Sequence, residues 1–204
     1  MMDRFSKRIT TIIFFVFYFL AFYGCEDSHK VELSSGKEIG LEQIKEMESL
    51  DKISYVGLEN VFSDTKIISP NGKPLLLIFA KNNCIYCDKF KDNLKADPTT
   101  QAFLAENFSS YYINTDYKKT HEIRFGEKSF FLQTLQLAKH YSINPTPTFV
   151  FSDSLGNAFF SYPGYLKPKQ FYAVLERLKD VKVITQDGIK ALSSELLALI
   201  EATR

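Results

Sequence analysis

No long run of one charge interrupts this chain, whose formal net charge is only +1. That balance supplies no electrostatic reason for a polyanion to bind, so nucleic acid is not an expected partner. Internal repeats and low-complexity segments are also missing. Cysteine is scarce, with Cys25, Cys84 and Cys87 the whole supply. A bridge between Cys84 and Cys87 would close a loop of four residues. Loop-closure stabilisation grows with loop length, so that bridge does little as a staple and is better explained by chemistry. What the chain does have is 204 residues, enough for about one domain plus trimmings, and a large apolar and aromatic share with 19 phenylalanines to fill a core.

Arg4, Lys7 and Arg8 precede an apolar segment from Ile9 to Tyr23, which ends at Gly24-Cys25 before the acidic pair Glu26-Asp27. A basic start and an apolar stretch of roughly fifteen residues are signal-peptide dimensions, short of the ~20 that span a bilayer. We therefore expect residues 1–24 to be a signal peptide and the protein to be exported. Cleavage before Cys25 would resemble bacterial lipoprotein processing, with Cys25 lipidated as the mature N-terminus. Gly24 fits that pattern, whereas Phe22 and Tyr23 depart from it. An uncleaved anchor helix and ordinary cleavage are the alternatives. Three cysteines in an exported protein leave an odd thiol, and acylation of Cys25 would consume it. Cys84 and Cys87 then remain, in a compartment where disulfides persist. The expected location is the periplasm or cell envelope, with a membrane reached through the lipid anchor.

Glu26 to Ile39 is polar, with Ser34-Ser35-Gly36 and no apolar period, and reads as a tether. Tether and N-terminal extension together span residues 25–70. Within them Leu41, Ile44, Met47 and Leu50 predict a short amphipathic helix, followed by a Tyr55-Val56 turn and a Val61-Phe62 patch. A folded domain is expected over 71–182 and a last helix within 183–204.

Pro70-Asn71-Gly72-Lys73-Pro74 is turn chemistry, and Leu75 to Ala80 reads as a strand buried on both faces. Lys81-Asn82-Asn83 forms the turn onto Cys84. Cys87, Phe90 and Leu94 repeat at helical spacing, and Asp97-Pro98 starts a second helix. Ser110 to Asn114 predicts a strand. Tyr117 to Lys128 reads as a long polar loop, and Ser129 to Tyr141 as helix, with Phe130, Leu132, Leu135 and Ala138 apolar. Thr148 to Phe151 and Ala158 to Tyr162 flank a hairpin turn, and a helix follows from Pro168. This order of strand, helix, strand, helix, strand, strand, helix predicts an α/β domain: a parallel pair joined by a crossover, with an antiparallel hairpin added to the same sheet.

Cys84-Ile85-Tyr86-Cys87 follows the apolar strand and heads a helix. Two thiols three positions apart can close a disulfide, and amide dipoles at a helix's first turn favour the first cysteine as thiolate. Only that cysteine faces unpaired helix amides and solvent. Lys81 adds positive potential nearby. A half zinc site is the competing reading, but it needs two further soft ligands, and the chain offers only His29, His121 and His140. His121 and His140 are read as surface or packing residues. Haem attachment would need histidine at position 88, which is Asp88. No metal and no cofactor are expected.

Together with Asn144-Pro145-Thr146-Pro147-Thr148, the cysteine motif resembles the thioredoxin superfamily over about Gly72 to Lys179. Tyr86 before the second cysteine, Asp97-Pro98, Thr146-Pro147-Thr148 leading into Phe149-Val150-Phe151, and Gly164-Tyr165 are similar to periplasmic thioredoxins of the SoxW type. Tyr86 and Thr146 also resemble the Dsb disulfide isomerase branch.

The resemblance implies a thioredoxin-like fold, a central mixed β-sheet flanked by helices, here with an N-terminal signal or anchor and extra terminal helices. It implies a Cys84/Cys87 redox disulfide with Cys84 attacking and Cys87 resolving, and it makes Thr146-Pro147 a cis-proline element facing that disulfide, with Tyr86, Thr146 and Pro147 supporting the site. Tyr165 is expected to pack under the cis-proline loop. The implied partners are disulfide-containing client proteins, such as cytochrome c apoproteins or sulfur-oxidation enzymes, and a membrane thiol electron donor of the DsbD or CcdA kind. The implied activity is a protein-disulfide oxidoreductase in the reducing direction; disulfide isomerase or oxidant, and a thiol-based metal-binding chaperone, are the alternatives. Isomerases of the Dsb branch rely on a dimerisation domain that Glu26 to Ser69 is too short to supply. Thioredoxins usually carry a buried Asp six positions before the first cysteine, and here Ile78 stands there; Asn83 replaces the usual tryptophan. Both departures point to a narrower client set than that of a general reductase.

Overall fold

Leu75–Ala80 carries no polar side chain, and a strand so composed must have both faces covered. In the computed structural model, which describes residues 31–32, 38–39 and 50–203, this strand is β4, with all six residues buried. The signal sequence, Cys25 and the first part of the amphipathic stretch, Leu41 to Met47, lie outside the described residues. Within the segment read as a tether, β1 (Val31–Glu32) pairs antiparallel with β2 (Glu38–Ile39), Val31 opposite Ile39. That ladder belongs to a unit of residues 1–41; everything below belongs to a second unit, residues 42–204. Among the described residues no helix is long and apolar enough to cross a membrane.

On one side β4 pairs in parallel with β5 (Ser109–Asn114), on the other antiparallel with β8 (Thr148–Ser152), which continues through a hairpin into β9 (Ala158–Pro163). The four-stranded order β5-β4-β8-β9 is the expected arrangement of a parallel pair with an antiparallel hairpin in one sheet. Two helices make the parallel crossover. The first, α1 (Ile85–Lys95), follows β4 through the turn at 81–84. The second, α2 (Pro98–Asn107), starts where Asp97 accepts the Thr100 N–H at 3.0 Å and Pro98 occupies a first-turn position whose missing N–H costs nothing.

Alternation along β4 divides the core. Leu76, Ile78 and Ala80 face a large cluster with Phe90 and Leu94 of α1, Leu104 of α2, and the helices α4 (Pro168–Leu178) and α5 (Gln186–Ala202). Phe171, Val174, Leu175 and Leu178 line the inner stripe of α4, as their spacing predicts. Tyr55, Leu58, Val61 and Phe62 join this cluster, so the packed unit begins upstream of residue 71.

Leu75, Leu77 and Phe79 face the other way, and here the structure departs from expectation. Tyr117 to Lys128 is not an irregular loop, nor does the helix begin at Ser129. Residues Thr120–Phe125 form β6 and Lys128–Gln133 form β7, an antiparallel hairpin; only Thr134–His140, α3, is helical. β6 also pairs in parallel with β3 (Ile67–Ile68), giving a small sheet β3-β6-β7. Ile68, Ile123, Leu137 and Ala138 from this layer close the second face. Burial alternates along β6, with His121 and Ile123 inside, whereas β7 is an edge strand that leaves Phe131 exposed.

Candidate active site

The end of β4 is tied to the end of β5 before the chain turns into α1. Thr115 donates both its N–H and its hydroxyl to the Ala80 carbonyl, at 2.8 and 2.9 Å. The Asn82 N–H donates to Asp116 Oδ2 at 2.8 Å, and its side-chain oxygen accepts from Asn114 Nδ2 at 2.8 Å. Asn83 then takes a left-handed conformation, φ 54°, which asparagine tolerates better than most residues. These bonds fix the turn that delivers Cys84 to the helix terminus.

Cys84 is the N-cap of α1, with extended backbone, and its Sγ accepts the Cys87 N–H at 3.2 Å. Capping brings the second cysteine one turn on, and the two sulfurs are joined in a disulfide, S–S 2.07 Å. Cys87 keeps 1% of its surface exposed and Cys84 7%. In the reduced protein the capping position would hold a Cys84 thiolate against the first-turn Cys87 N–H and the positive end of the helix dipole. Cys87 instead belongs to the buried face of α1, with Phe90 and Leu94, inside the large core cluster.

Across from the disulfide runs the loop from Asn144 to Thr148. The Thr146-Pro147 peptide bond is cis. Thr146 is the loop residue that meets sulfur: its carbonyl oxygen lies 3.4 Å from Cys84 Sγ, and its hydroxyl donates to the same sulfur at 3.4 Å. Thr148 Oγ1 bonds the Pro145 carbonyl at 2.7 Å and shapes the loop from below. The Pro147 carbonyl accepts the Gly164 N–H at 2.8 Å, which ties the loop to the end of β9.

Gly164 leads to Tyr165, whose ring stacks on Tyr86 with centroids 5.9 Å apart and planes 27° from parallel. Tyr165 therefore joins α1 rather than merely filling space under the loop. Asn93, not apparent as a site residue in sequence, donates Nδ2 to the Tyr165 hydroxyl at 2.6 Å, and the Lys89 ammonium lies 5.2 Å from the Tyr165 ring centre. Lys89 and Asn93 are spaced i, i+4 on α1, so one helical stripe carries both groups, a signal present in the chain but readable only once Tyr165 is placed against it.

Ile78 is fully buried in the core beneath the pair, so no acid occupies that position. A polar cleft of about 430 Å³ opens on the other side of α1, lined by Lys81, Asn83, Asp88, Lys91 and Tyr112 among others. Asp88 pairs there with Lys91 at 3.1 Å. Burial, with the Asp88 charge adding to it, raises the Tyr112 phenol well above its ordinary pKa.

His121 lies within the β3-β6 layer, its Nδ1 2.7 Å from the Thr65 carbonyl and its Nε2 2.9 Å from Thr134 Oγ1. His140 packs edge-on against Tyr141. Among the described residues no group of three or more His, Cys, Asp or Glu side chains could hold a metal ion.

Comparison with known proteins bears on this geometry. A family described as a thioredoxin-like domain matches residues 61–179. A thioredoxin-fold protein from Helicobacter pylori is 39% identical in sequence, with TM-score 0.65, covering 75% of this chain and 98% of its own. A thioredoxin from Thermus thermophilus is 20% identical, with TM-score 0.41, covering 52% of this chain and 73% of its own. A thioredoxin-like protein from Clostridium perfringens is also 20% identical, with TM-score 0.41, covering 68% and 98%. No curated protein sequence matches the chain.

Proposed function

The chain belongs to the thioredoxin-like family, and from that premise we propose that it is a thiol–disulfide oxidoreductase of the bacterial cell envelope that reduces disulfides in exported client proteins. The observation that carries the reading is the Cys84–Cys87 disulfide with Cys84 at the α1 N-cap.

In the reduced protein the Cys84 thiolate attacks a client disulfide. A bond forms between Cys84 Sγ and one client sulfur, the client S–S bond breaks, and the other client sulfur leaves with the electron pair and takes a proton from water. Cys87 then loses its proton and attacks Cys84 Sγ. The bond to the client breaks, and the second client sulfur leaves as thiolate and is protonated. The client has gained two electrons and two protons, and the Cys84–Cys87 disulfide is re-formed. A membrane thiol electron donor of the DsbD or CcdA kind would return the pair to the dithiol. The SoxW-like residues, Tyr86 and Gly164-Tyr165 among them, support the reducing direction. The basic and apolar start of the chain supports export and anchoring through a lipid on Cys25.

Insulin reduction by the wild type, Cys84→Ser and Cys87→Ser tests the activity. Both variants are expected to lose turnover, and Cys87→Ser, which keeps the attacking thiol, should accumulate mixed disulfides with clients. Stoichiometric metal on the reduced wild type without turnover would replace this reading with that of a metal-binding chaperone. Titration against glutathione tests direction: a midpoint near about −270 mV is that of a reductase, and one near about −120 mV that of an oxidant. Loss of membrane-associated acyl labelling in Cys25→Ser tests the anchor.

A further inference from the structure

A disulfide that reaches Cys84 Sγ must bring its flanking residues over the two side chains that separate the cysteines. Those are Ile85, 80% exposed, and Tyr86, 58% exposed. Ile85 is the most exposed of the large apolar side chains among the described residues. Tyr86 is also not free to swing. One face of its ring is held by Tyr165, which Asn93 fixes through its hydroxyl and the Lys89 ammonium flanks. Tyr165 in turn follows Gly164, whose N–H is bonded to the Pro147 carbonyl. The stack thus bridges α1 and the cis-proline loop, the two elements that enclose Cys84.

We propose that Tyr86 and Tyr165 form a pre-organised recognition wall that selects client segments carrying an aromatic side chain next to the disulfide cysteine. The inference rests on the oxidoreductase reading and names the substrate class it favours. Three features select that occupant. The second face of Tyr86 is open, and a planar side chain gains an offset or edge contact there beyond its buried area. Ile85 beside it offers further exposed apolar surface, which a planar apolar flank covers without leaving a polar group unpaired. The wall is locked before the client arrives, so little side-chain entropy is lost on contact. Tyr165 acts through Tyr86 and is a positioning residue.

Two synthetic peptide disulfides test this, identical except for Phe or Ala beside the cysteine. Each is mixed with pre-reduced full-length protein, and the second-order rate of protein oxidation is read by acid quench, alkylation and mass spectrometry. Hydroxyethyl disulfide, which carries no aromatic ring, serves as a small disulfide control. The wild type should prefer the Phe peptide by about three- to tenfold, the range expected for one aromatic pair. That ratio should fall close to one in Tyr86→Ala and Tyr165→Ala, and most of it should return in Tyr165→Phe, which keeps the stack and gives up only the Asn93 bond. The ratio compares two substrates on the same variant, so a general loss of stability does not move it. Equal wild-type rates for the two peptides, or a ratio retained in both alanine variants, would overturn the proposal while leaving the oxidoreductase reading intact. If the reduced wild type reacts with neither peptide nor the control, the parent reading fails and the wall falls with it.

Discussion

The Thr146 hydroxyl donates to Cys84 Sγ at 3.4 Å, reaching from the cis-proline loop the same sulfur that accepts the Cys87 N–H from α1. In the reduced protein both donors would favour the thiolate over the thiol. Thr146→Val removes one donor without changing side-chain volume much. Alkylation of Cys84 at pH 6, where rate follows thiolate fraction, should slow about three- to tenfold, a loss at or below the weak end for a hydrogen bond to a charged group. Thr146→Ser should restore most of the rate. An unchanged rate in Thr146→Val would show that the helix terminus alone sets the ionisation of Cys84.

Stability should fall with acidification in two separate windows. Burial holds the His121 pKa below its ordinary value, outweighing the Thr65 carbonyl and the Asp51 charge, which favour the protonated ring. Folded His121 therefore stays neutral while the unfolded chain takes up a proton near about pH 6.5. The folded state binds fewer protons, so its advantage is complete above about pH 6.5 and declines as pH falls toward the depressed folded pKa. Asp64 and Asp97 are held below the usual carboxylate range, Asp64 by Lys119 and Asp97 by Thr100, in each case against the opposing effect of burial. Their contribution is lost only at lower pH, below about 4, where unfolded carboxylates protonate. Urea midpoints at pH 7.5, 6 and 5 should decline in the wild type, and His121→Gln should flatten that decline while keeping the acid limb.

How much of this was legible before the fold was known depended on whether a residue's role was local. Leu75 to Ala80 is apolar without interruption, so its burial on both faces follows from composition alone. Asp97-Pro98 and Pro168 mark helix starts by chemistry that operates within one turn. The β6-β7 hairpin was hidden for two reasons. His121 is a polar residue on the buried face of β6, which breaks the apolar alternation a half-buried strand should show. Leu132, Leu135 and Ala138 also recur at three-residue steps by coincidence, because an edge strand that ends at Gln133 runs directly into α3. Within the site, the cysteine pair and Thr146-Pro147 were readable as motifs. The Asn93 bond to Tyr165 was not, because it joins residues 72 positions apart that meet only when the segment after β9 lies against α1.

A buried ion pair joins the segment before β3 to the start of β6. Lys119 Nζ lies 3.1 Å from Asp51 Oδ2 and 2.9 Å from Asp64 Oδ1, and Thr65 Oγ1 also donates to Asp51 at 2.5 Å. Asp51 and Lys119 are both nearly inaccessible, whereas Asp64 is half exposed. Removing the cation by Lys119→Met strands the Asp51 carboxylate with only a hydroxyl for company, which should cost about 3 kcal/mol or more in chemical denaturation. Replacing both partners, Lys119→Met with Asp51→Leu, should recover a large part of that loss, since the penalty comes from the orphaned charge and not from the missing attraction. A double variant as unstable as the single one would place the cost in packing instead.

Gly156 tests whether the hairpin missed in sequence is anchored to the main sheet. It sits in the β8-β9 turn at φ 89°, where the buried Asp153 carboxylate accepts the Leu155 and Asn157 N–H groups at 3.0 and 2.9 Å. A Cβ at Gly156 would collide with the ring of Phe125, at the tip of β6. Gly156→Ala thus carries two costs, a left-handed backbone and an aromatic ring forced aside, together about 2–3 kcal/mol. Only the second depends on Phe125. In a Phe125→Leu background the same substitution should cost less by roughly 1 kcal/mol, the scale of coupling between residues in contact, while the backbone part persists. Equal costs in both backgrounds would mean that the ring moves away freely and that the hairpin tip is not held against the turn.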